Sequence, residues 1–342
     1  MELLLAIFLS ALTVFVAIAF YYGHDKAEVP HEFSERRKLY VLHYLLNFAF
    51  GMATFLDKVG IVSEVHFLRA TMENIPPLKD KHLLIKDLRF ERVKVRIYQC
   101  KTSNTSQRRG VLYFHGGVGW LGSIRAYERT CRYLARKSNS VVVSVGPKLR
   151  AQILIYPFLQ CVDFNLPSYQ QNERIPILLK ERTLVLGLKY MNKDLSVLPE
   201  LFKGRHVPED LRPKYQKWVS PDYIPQEFKT RGYKPSPTYP SSEEIYAHTK
   251  GIFDPVFSPL LAEDSVVAQV PETFLLTCEF DVLRDDGLLY KKRLEDHGIK
   301  VTWCHLQEGF HGTVFSATLG GGAAFKSGIK GLDKVVNFLR LM

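Results

Sequence analysis

From residue 82 onward, segments typical of β-strands alternate with segments typical of α-helices. Residues 93–97 read Val, Lys, Val, Arg, Ile, an alternation that predicts a half-exposed strand paired with residues 82–90. Segments rich in apolar and β-branched residues predict further strands at 111–114, 140–145, 151–158, 273–280 and 301–306. Helical spacing predicts helices at 123–137, capped by Ser123, at 286–297, ended by Gly298, and at 330–341. The alternation indicates an α/β fold, with a mostly parallel sheet covered by helices on both faces.

The composition is that of a folded protein with no nucleic-acid partner. Of the 342 residues, 46% are hydrophobic and 12% aromatic, which supplies a core and excludes wholesale disorder. The net charge of +11 is spread along the chain and interleaved with acidic residues, and no long basic run or nucleic-acid motif occurs. The five cysteines lie far apart without a Cys-x-x-Cys pair, which argues against a zinc knuckle or a thioredoxin-like site.

The amino terminus carries an apolar run of the length that crosses a membrane. Residues 3–22 would span about 30 Å as a helix. A cleaved signal peptide with a site at Ala17-Ile18-Ala19 is the alternative. We expect an uncleaved anchor over 1–23, because the leader has no basic residue and the run continues past that site. Asn104 opens the sequon Asn-Thr-Ser, and its glycosylation would place the following domain in a lumen.

Between the anchor and the first strand, residues 24–81 are expected to form a helical segment. The apolar stretch 40–55 is interrupted by His43 and Asn47, so a helix packed on the domain or lying at the membrane surface fits better than a second span. Residues 82–342 are expected to form the α/β domain. Its part 167–262 is rich in Pro, Tyr and Lys, and we interpret it as a lid-like insertion.

Three segments that follow predicted strands carry candidate chemistry. His115-Gly116-Gly117 could present backbone N–H groups as an oxyanion hole, although an ordinary glycine turn has the same composition. Asp281 could orient a histidine or could merely cap the next helix, a role that Asp285 and Asp286 can also fill. His311 alone would be a surface histidine, but an Asp followed by a His is the order of a hydrolase triad.

Together these segments resemble the arylacetamide deacetylase-like proteins of the hormone-sensitive-lipase branch of the α/β-hydrolases. The resemblance rests on Tyr-Phe-His-Gly-Gly at 113–117, Ser-Pro-Leu-Leu-Ala at 258–262, Cys-Glu-Phe-Asp-Val-Leu-Arg-Asp-Asp at 278–286 and Glu-Gly-Phe-His-Gly at 308–312. It implies a membrane-anchored hydrolase in the endoplasmic reticulum lumen that cleaves apolar acyl esters or amides without a cofactor or a metal. The resemblance implies that His311 is the general base and that Asp281 orients it. It also implies an oxyanion hole in the segment His115-Gly116-Gly117, with the backbone N–H groups of Gly116 and Gly117 as donors.

Two departures from the family pattern matter. Val118 stands where the family has a third glycine. More seriously, the sequence contains no Gly-x-Ser-x-Gly, the nucleophile elbow that the family carries before the strand at 151–158. The predicted strands at 140–145 and 151–158 are joined by five residues, where the elbow strand and its helices would take about 45–60.

Geometry makes this five-residue junction incompatible with two neighbouring parallel strands. Such strands need a crossover of a dozen or more residues, whereas five residues reach at most about 17–18 Å. Ser144, inside a strand, and Ser123, at a helix cap, are poor substitutes for the elbow serine. We therefore expect a member of an esterase family that lacks its nucleophile and is inactive or strongly impaired. The alternative is a non-catalytic lumenal binding or scaffold protein on a hydrolase frame.

Overall fold

A computed structural model describes residues 27–73, 80–90, 93–101, 109–117, 121–143, 150–319 and 321–342, together with three isolated positions before residue 18. The predicted anchor at 3–22, apart from those three positions, lies outside the described residues. So do Asn104, Val118, Ser144 and most of the junction after residue 143. The chain divides into an amino-terminal unit, residues 1–146 and 318–323, and a carboxy-terminal unit, residues 147–317 and 324–342.

The amino-terminal unit contains a four-stranded sheet in the order β1-β2-β4-β3. Its strands are β1 (Leu83–Phe90), β2 (Val93–Cys100), β3 (Gly110–Leu112) and β4 (Val141–Val143). β1 and β2 form the predicted antiparallel pair, with Leu83 opposite Cys100, and β3 runs parallel to β4. Its helices are α1 (Arg36–Lys58), α2 (Glu64–Glu73) and α3 (Glu128–Ser138).

Helix α3 begins five residues later than the sequence predicts. The Ser123 hydroxyl accepts a hydrogen bond from the Ala126 N–H at 3.2 Å, so it caps a turn, as expected of a helix cap. The Glu128 N–H then bonds to the Arg125 carbonyl, three residues back, which interrupts the four-residue spacing of an α-helix. The predicted boundary at 123 is wrong because one capped turn precedes the helix.

The carboxy-terminal unit contains a three-stranded parallel sheet in the order β5-β6-β7. Its strands are β5 (Ala151–Ile155), β6 (Glu272–Phe280) and β7 (Val301–Phe310). Its helices are α4 (Pro167–Gln171), α5 (Lys180–Tyr190), α6 (Leu198–Phe202), α7 (Arg212–Gln216), α8 (Glu243–Thr249), α9 (Asp264–Val267), α10 (Arg284–Asp296), α11 (Thr313–Ser316) and α12 (Lys326–Leu341). Short 3-10 helices add turns at Leu195–Val197, Pro221–Tyr223, Gln226–Lys229, Lys250–Phe253 and Pro259–Leu261.

The strands of this unit differ from the predictions mainly at their ends. β7 continues four residues beyond the predicted end at 306, so Glu308, Gly309 and Phe310 lie in the strand and not in a loop. Gly309 is needed there, because a Cβ at this position would lie 2.7 Å from the Cys278 sulfur. Helix α10 ends at Asp296, and Gly298 follows with φ +72°, the left-handed conformation expected of a terminating glycine.

A large hydrophobic cluster lies within the carboxy-terminal unit. It joins the inner faces of the short helices at 159–267 to helix α10, and Leu260, Val282 and Leu294 are fully buried in it. Helix α1, in the other unit, is long and apolar enough to cross a membrane by length and composition, a test that a core helix can also pass.

Candidate functional site

Asp281 and His311 meet at the carboxyl end of the three-stranded sheet. Each follows the last residue of a strand, and those residues, Phe280 and Phe310, lie opposite each other in neighbouring parallel strands. The parallel register therefore brings together two side chains that are thirty positions apart in the sequence. The His311 Nδ1 lies 3.0 Å from an Asp281 carboxylate oxygen.

The surroundings of Asp281 hold its carboxylate in place. The residue is buried, and its second oxygen accepts a hydrogen bond from the Leu283 N–H at 2.9 Å. The Asn172 side-chain amide donates to the carbonyls of Glu279 and Asp281, at 3.0 and 2.9 Å. These bonds fix the turn that leaves β6, so the carboxylate points at the imidazole with little freedom.

The Asp281 carboxylate determines the tautomer of the His311 imidazole. A carboxylate can only accept, so Nδ1 carries the proton and the neutral ring has its lone pair on Nε2. The side chain is 27% exposed, and Gly312 follows it with φ +91° to start helix α11. The Tyr156 ring lies 4.7 Å from the imidazole, and Tyr156 itself has φ +39° directly after β5. The ends of all three strands therefore converge on this histidine.

A buried ionic network lies behind the Asp281 turn. The Arg284 guanidinium is fully buried and donates to Glu279, Asp285 and the Phe228 carbonyl, at 3.0, 2.9 and 2.9 Å. Burial of Glu279 raises its pKa, but the His305 hydrogen bond and the charges of Arg284 and Arg231 outweigh that effect and bring the pKa down to about 2.

The aspartates at 285 and 286 do not cap helix α10. The Asp285 carboxylate accepts from the Ser168 N–H at 2.6 Å, and that of Asp286 accepts from the Leu159 N–H at 2.9 Å. Burial raises the pKa of Asp286 to about 7. The two side chains tie α10 to the segment that follows β5, and the sequence offered only the capping role as their explanation.

The glycine segment belongs to the amino-terminal unit, where it follows β3. Gly117 has φ +119°, and a Cβ there would lie 2.1 Å from the Leu121 carbonyl oxygen. The Leu121 N–H closes the turn by donating to the Gly117 carbonyl at 2.7 Å. The His115 Nδ1 donates to the Gly116 carbonyl at 2.9 Å, and its ring stacks on Tyr127 at 5.6 Å. The tight turn is thus a conformation that only glycine adopts easily at position 117.

The structure thus unites two of the expected site residues, Asp281 and His311, within one unit. His115, Gly116 and Gly117 lie in the other unit. Sequence reasoning missed Asn172 and Tyr156, whose ring is tilted by 56° against the imidazole. Neither has a local signal, because both lie more than a hundred residues before Asp281 in the sequence.

Comparison with known proteins identifies the family. The profile of Abhydrolase_3, an alpha/beta hydrolase fold, matches residues 111–146 and 209–315. Human arylacetamide deacetylase-like 4 is 35% identical, over 91% of this chain and 92% of its own length. The chain belongs to the arylacetamide deacetylase-like family. Human arylacetamide deacetylase-like 3 is 33% identical over 90% of the chain, and the arylacetamide deacetylase of Bos taurus 29% over 85%.

Membership of the arylacetamide deacetylase-like family confirms the predicted resemblance and makes this chain an esterase- or deacetylase-like α/β-hydrolase. The match with human arylacetamide deacetylase-like 4 extends over 374 aligned positions, whereas this chain has 342 residues. That alignment therefore includes residues of the relative that have no counterpart here.

Solved esterases confirm the predicted fold. A mutant of the esterase rPPE superimposes with a TM-score of 0.56 at 15% identity, over 92% of this chain and 98% of that one. A thermostable esterase from Pseudomonas putida gives a TM-score of 0.52 at 16% identity, over 84% and 95%.

Proposed function

We propose that this chain retains the acid–base pair of an esterase and lacks the nucleophile, so that it does not turn over ester or amide substrates. The observation that carries the proposal is the absence of any Gly-x-Ser-x-Gly in the sequence of a family member. The excess of aligned positions over chain length supports it, since residues of the relative are missing here.

The sheet topology is consistent with a missing central strand. β3 is the last strand of one sheet and β5 the first strand of the other, and in the sequence the elbow strand of the family would fall between β4 and β5. The seven described strands form two sheets, one in each unit, where the family fold needs the elbow strand at its centre. We infer that the abrupt junction near residue 146 replaces that strand and its helices.

Without a serine the remaining groups have no target. His311 accelerates acyl transfer by taking a proton from a nucleophile within hydrogen-bond reach, and Asp281 acts only through His311. An oxyanion hole formed by Gly116 and Gly117 would accelerate hydrolysis over the uncatalysed rate in water only if the two N–H groups kept the geometry that the family's elbow strand supports.

The test combines active-site labelling with turnover. The chain, expressed in microsomes, should not react with a fluorophosphonate probe and should not hydrolyse a short acyl ester above background. Human arylacetamide deacetylase-like 4, tested in parallel, shows whether the probe labels a full-length relative. In the chain itself, His311→Ala and Asp281→Ala should change nothing.

A chimera tests the proposal by a gain of activity as well as by its absence. Grafting the relative's segment between Gly146 and Pro147 should bring back labelling and turnover, and His311→Ala in that chimera should abolish both. A robust rate in the unmodified chain that His311→Ala removes would reveal a substitute nucleophile and overturn the proposal. Ser144 would then be the first residue to mutate.

We also propose that residues 1–23 anchor the chain in the endoplasmic reticulum membrane with the α/β units in the lumen. The support is the apolar run at 3–22 and the sequon at Asn104. The chain should stay with membranes after carbonate extraction, and endoglycosidase should increase its mobility unless Asn104 is replaced by Gln. Release of a form shortened near Ala19 would show a cleaved signal, and unchanged mobility would remove the lumenal assignment.

The second candidate is a non-catalytic lumenal binding or scaffold protein for apolar acyl esters or amides. The observation that favours it is the intact carboxy-terminal unit, whose buried core and Asp281–His311 pair remain assembled. Saturable binding of a non-hydrolysable ester analogue to a chain that the fluorophosphonate probe does not label would support this candidate. If the analogue does not bind, only the proposal of an inactive enzyme remains.

A further inference from the structure

Helix α1 buries two polar side chains in its middle and exposes three large apolar ones beside them. His43 and Asn47 are buried, and the Asn47 amide donates to the His43 Nε2 at 2.9 Å. Val41, Tyr44 and Leu45 are 59%, 53% and 62% exposed. A helix on a water-facing surface shows the opposite pattern, so this arrangement needs an apolar surrounding on the outside.

The exposed apolar residues share one side of the helix. Positions 41, 44 and 45 stand at the spacing of three and four residues that places side chains on a common face. We call Val41, Tyr44 and Leu45 the outer face. Beyond the end of the helix, Val59 and Ile61 are 50% and 72% exposed.

The opposite side of α1 packs on its own unit. Ala53 of α1 is buried with Leu68 of α2 and Leu121, and Phe50 packs against the same cluster. Because α1 is held along the protein surface on this side, it suits a position in the plane of an interface better than one across a bilayer.

The charges near α1 complement lipid headgroups. Arg36, Arg37 and Lys38 open the helix and Lys58 ends it, while the acidic residues beside them are Glu35, which pairs with Lys38 at 3.0 Å, and Asp57. Basic residues beside an apolar helix face can reach the phosphate groups of the lipids while the apolar face enters the acyl region.

The position in the chain points to the same partner. Residues 23–35, between the apolar run and α1, can extend at most about 45 Å. If the run is anchored, the helix always stays within that distance of the membrane surface. We propose that the outer face of α1 inserts into the lipid interface as a second membrane contact. This inference rests on the proposed anchor, because the anchor is what keeps the outer face close to lipid.

Site-specific photocross-linking in the full-length chain tests this contact. Leu45 is replaced by a photoreactive benzoyl-phenylalanine in membranes that contain radiolabelled phospholipid. The matched control is the same replacement at Val256, an apolar residue that is 93% exposed in the carboxy-terminal unit. Leu45 should cross-link to phospholipid at least about tenfold more than Val256, because only the outer face contacts acyl chains.

The other products would overturn the inference. Cross-links from position 45 to residues 3–22 or to a second copy, without lipid, would mean that protein covers the outer face. Equal labelling from positions 45 and 256 would mean no specific contact. Carbonate extraction of the same membranes reports the anchor separately. If the chain resists extraction but does not cross-link to lipid, the proposed anchor stands and the proposed contact of the outer face is refuted. If the chain is released but still cross-links to lipid, the contact stands and the anchor is refuted.

Discussion

The buried imidazole of His206 should make the carboxy-terminal unit less stable in mild acid. The residue is fully buried, and its ring lies between Phe164 and Phe253, with centroids 5.6 and 5.9 Å away. Its Nε2 donates to the Cys161 carbonyl at 2.8 Å. Within the described part of the chain Nδ1 has no hydrogen-bond partner, so a proton there would create a buried donor without an acceptor.

The magnitude follows from the pKa of the imidazole. Burial is the main cause that lowers the pKa of His206; the hydrogen bond to the Cys161 carbonyl raises it, the charge of Arg212 lowers it, and the net result is a pKa of about 4 in place of 6.5. The unfolded chain binds the proton first, so stability is full above the unfolded pKa and falls as the pH drops from 6.5 toward 4. At 1.36 kcal/mol per pKa unit the complete loss is about 3 kcal/mol, of which about 2.5 is reached near pH 4.5.

Asp286 acts in the opposite direction over the same range. Its pKa is raised to about 7, so the folded state holds a proton that the unfolded state has already released, and stability falls as the pH rises toward 7. The two slopes partly cancel in the wild-type chain. The contribution of His206 therefore has to be measured as a difference between the wild type and a variant.

The assay compares His206→Phe with the wild type by urea unfolding in detergent, followed by the fluorescence of Trp218 in the same core. At about pH 7.5 the variant should be less stable by about 1–3 kcal/mol, because the Cys161 carbonyl loses its donor. By about pH 4.5 the gap should shrink by about 2.5 kcal/mol, since only the wild type loses stability through His206. The exposed His248, changed to Phe, controls for the loss of a surface histidine. A gap between His206→Phe and the wild type that stays constant with pH would refute the reasoning.

Two further predictions concern buried contacts of the same unit. Arg284→Ala should lower the free energy of unfolding by about 3–5 kcal/mol, because it removes the cationic partner of the fully buried Asp285 and one of the two arginines paired with Glu279. Lys292→Ala breaks an exposed pair at 2.7 Å and should cost about 0–1 kcal/mol in the same urea titration. Gly328→Ala should cost at least about 1–3 kcal/mol, because its Cβ would lie 2.0 Å from the Thr313 carbonyl oxygen. Gly187→Ala, whose Cβ would make only an ordinary contact with Phe257 at 3.8 Å, should cost nothing by the same measurement. Equal costs within either pair would contradict the packing described here.

The sequence by itself determined the α/β class, the strand order along the chain and the absence of a Gly-x-Ser-x-Gly motif. Each depends on local signals: alternation in β2, the short apolar run at 111–114 that contains part of β3, and a short motif that either occurs or does not. Gly298 ended its helix as predicted for the same reason, because a left-handed terminus favours glycine wherever the helix lies. Helix α3 was misplaced at its start because one capped turn and a helix share the same apolar spacing.

Only the tertiary structure decided what the candidate residues touch. The Asp281–His311 hydrogen bond depends on the register of two parallel strands, and the carboxylates at 285 and 286 bind backbone groups more than a hundred residues away. The burial of His43 and Asn47, with apolar neighbours exposed, reverses what their polarity suggests. Such contacts join residues distant in sequence, and local periodicity carries no information about which distant faces come together.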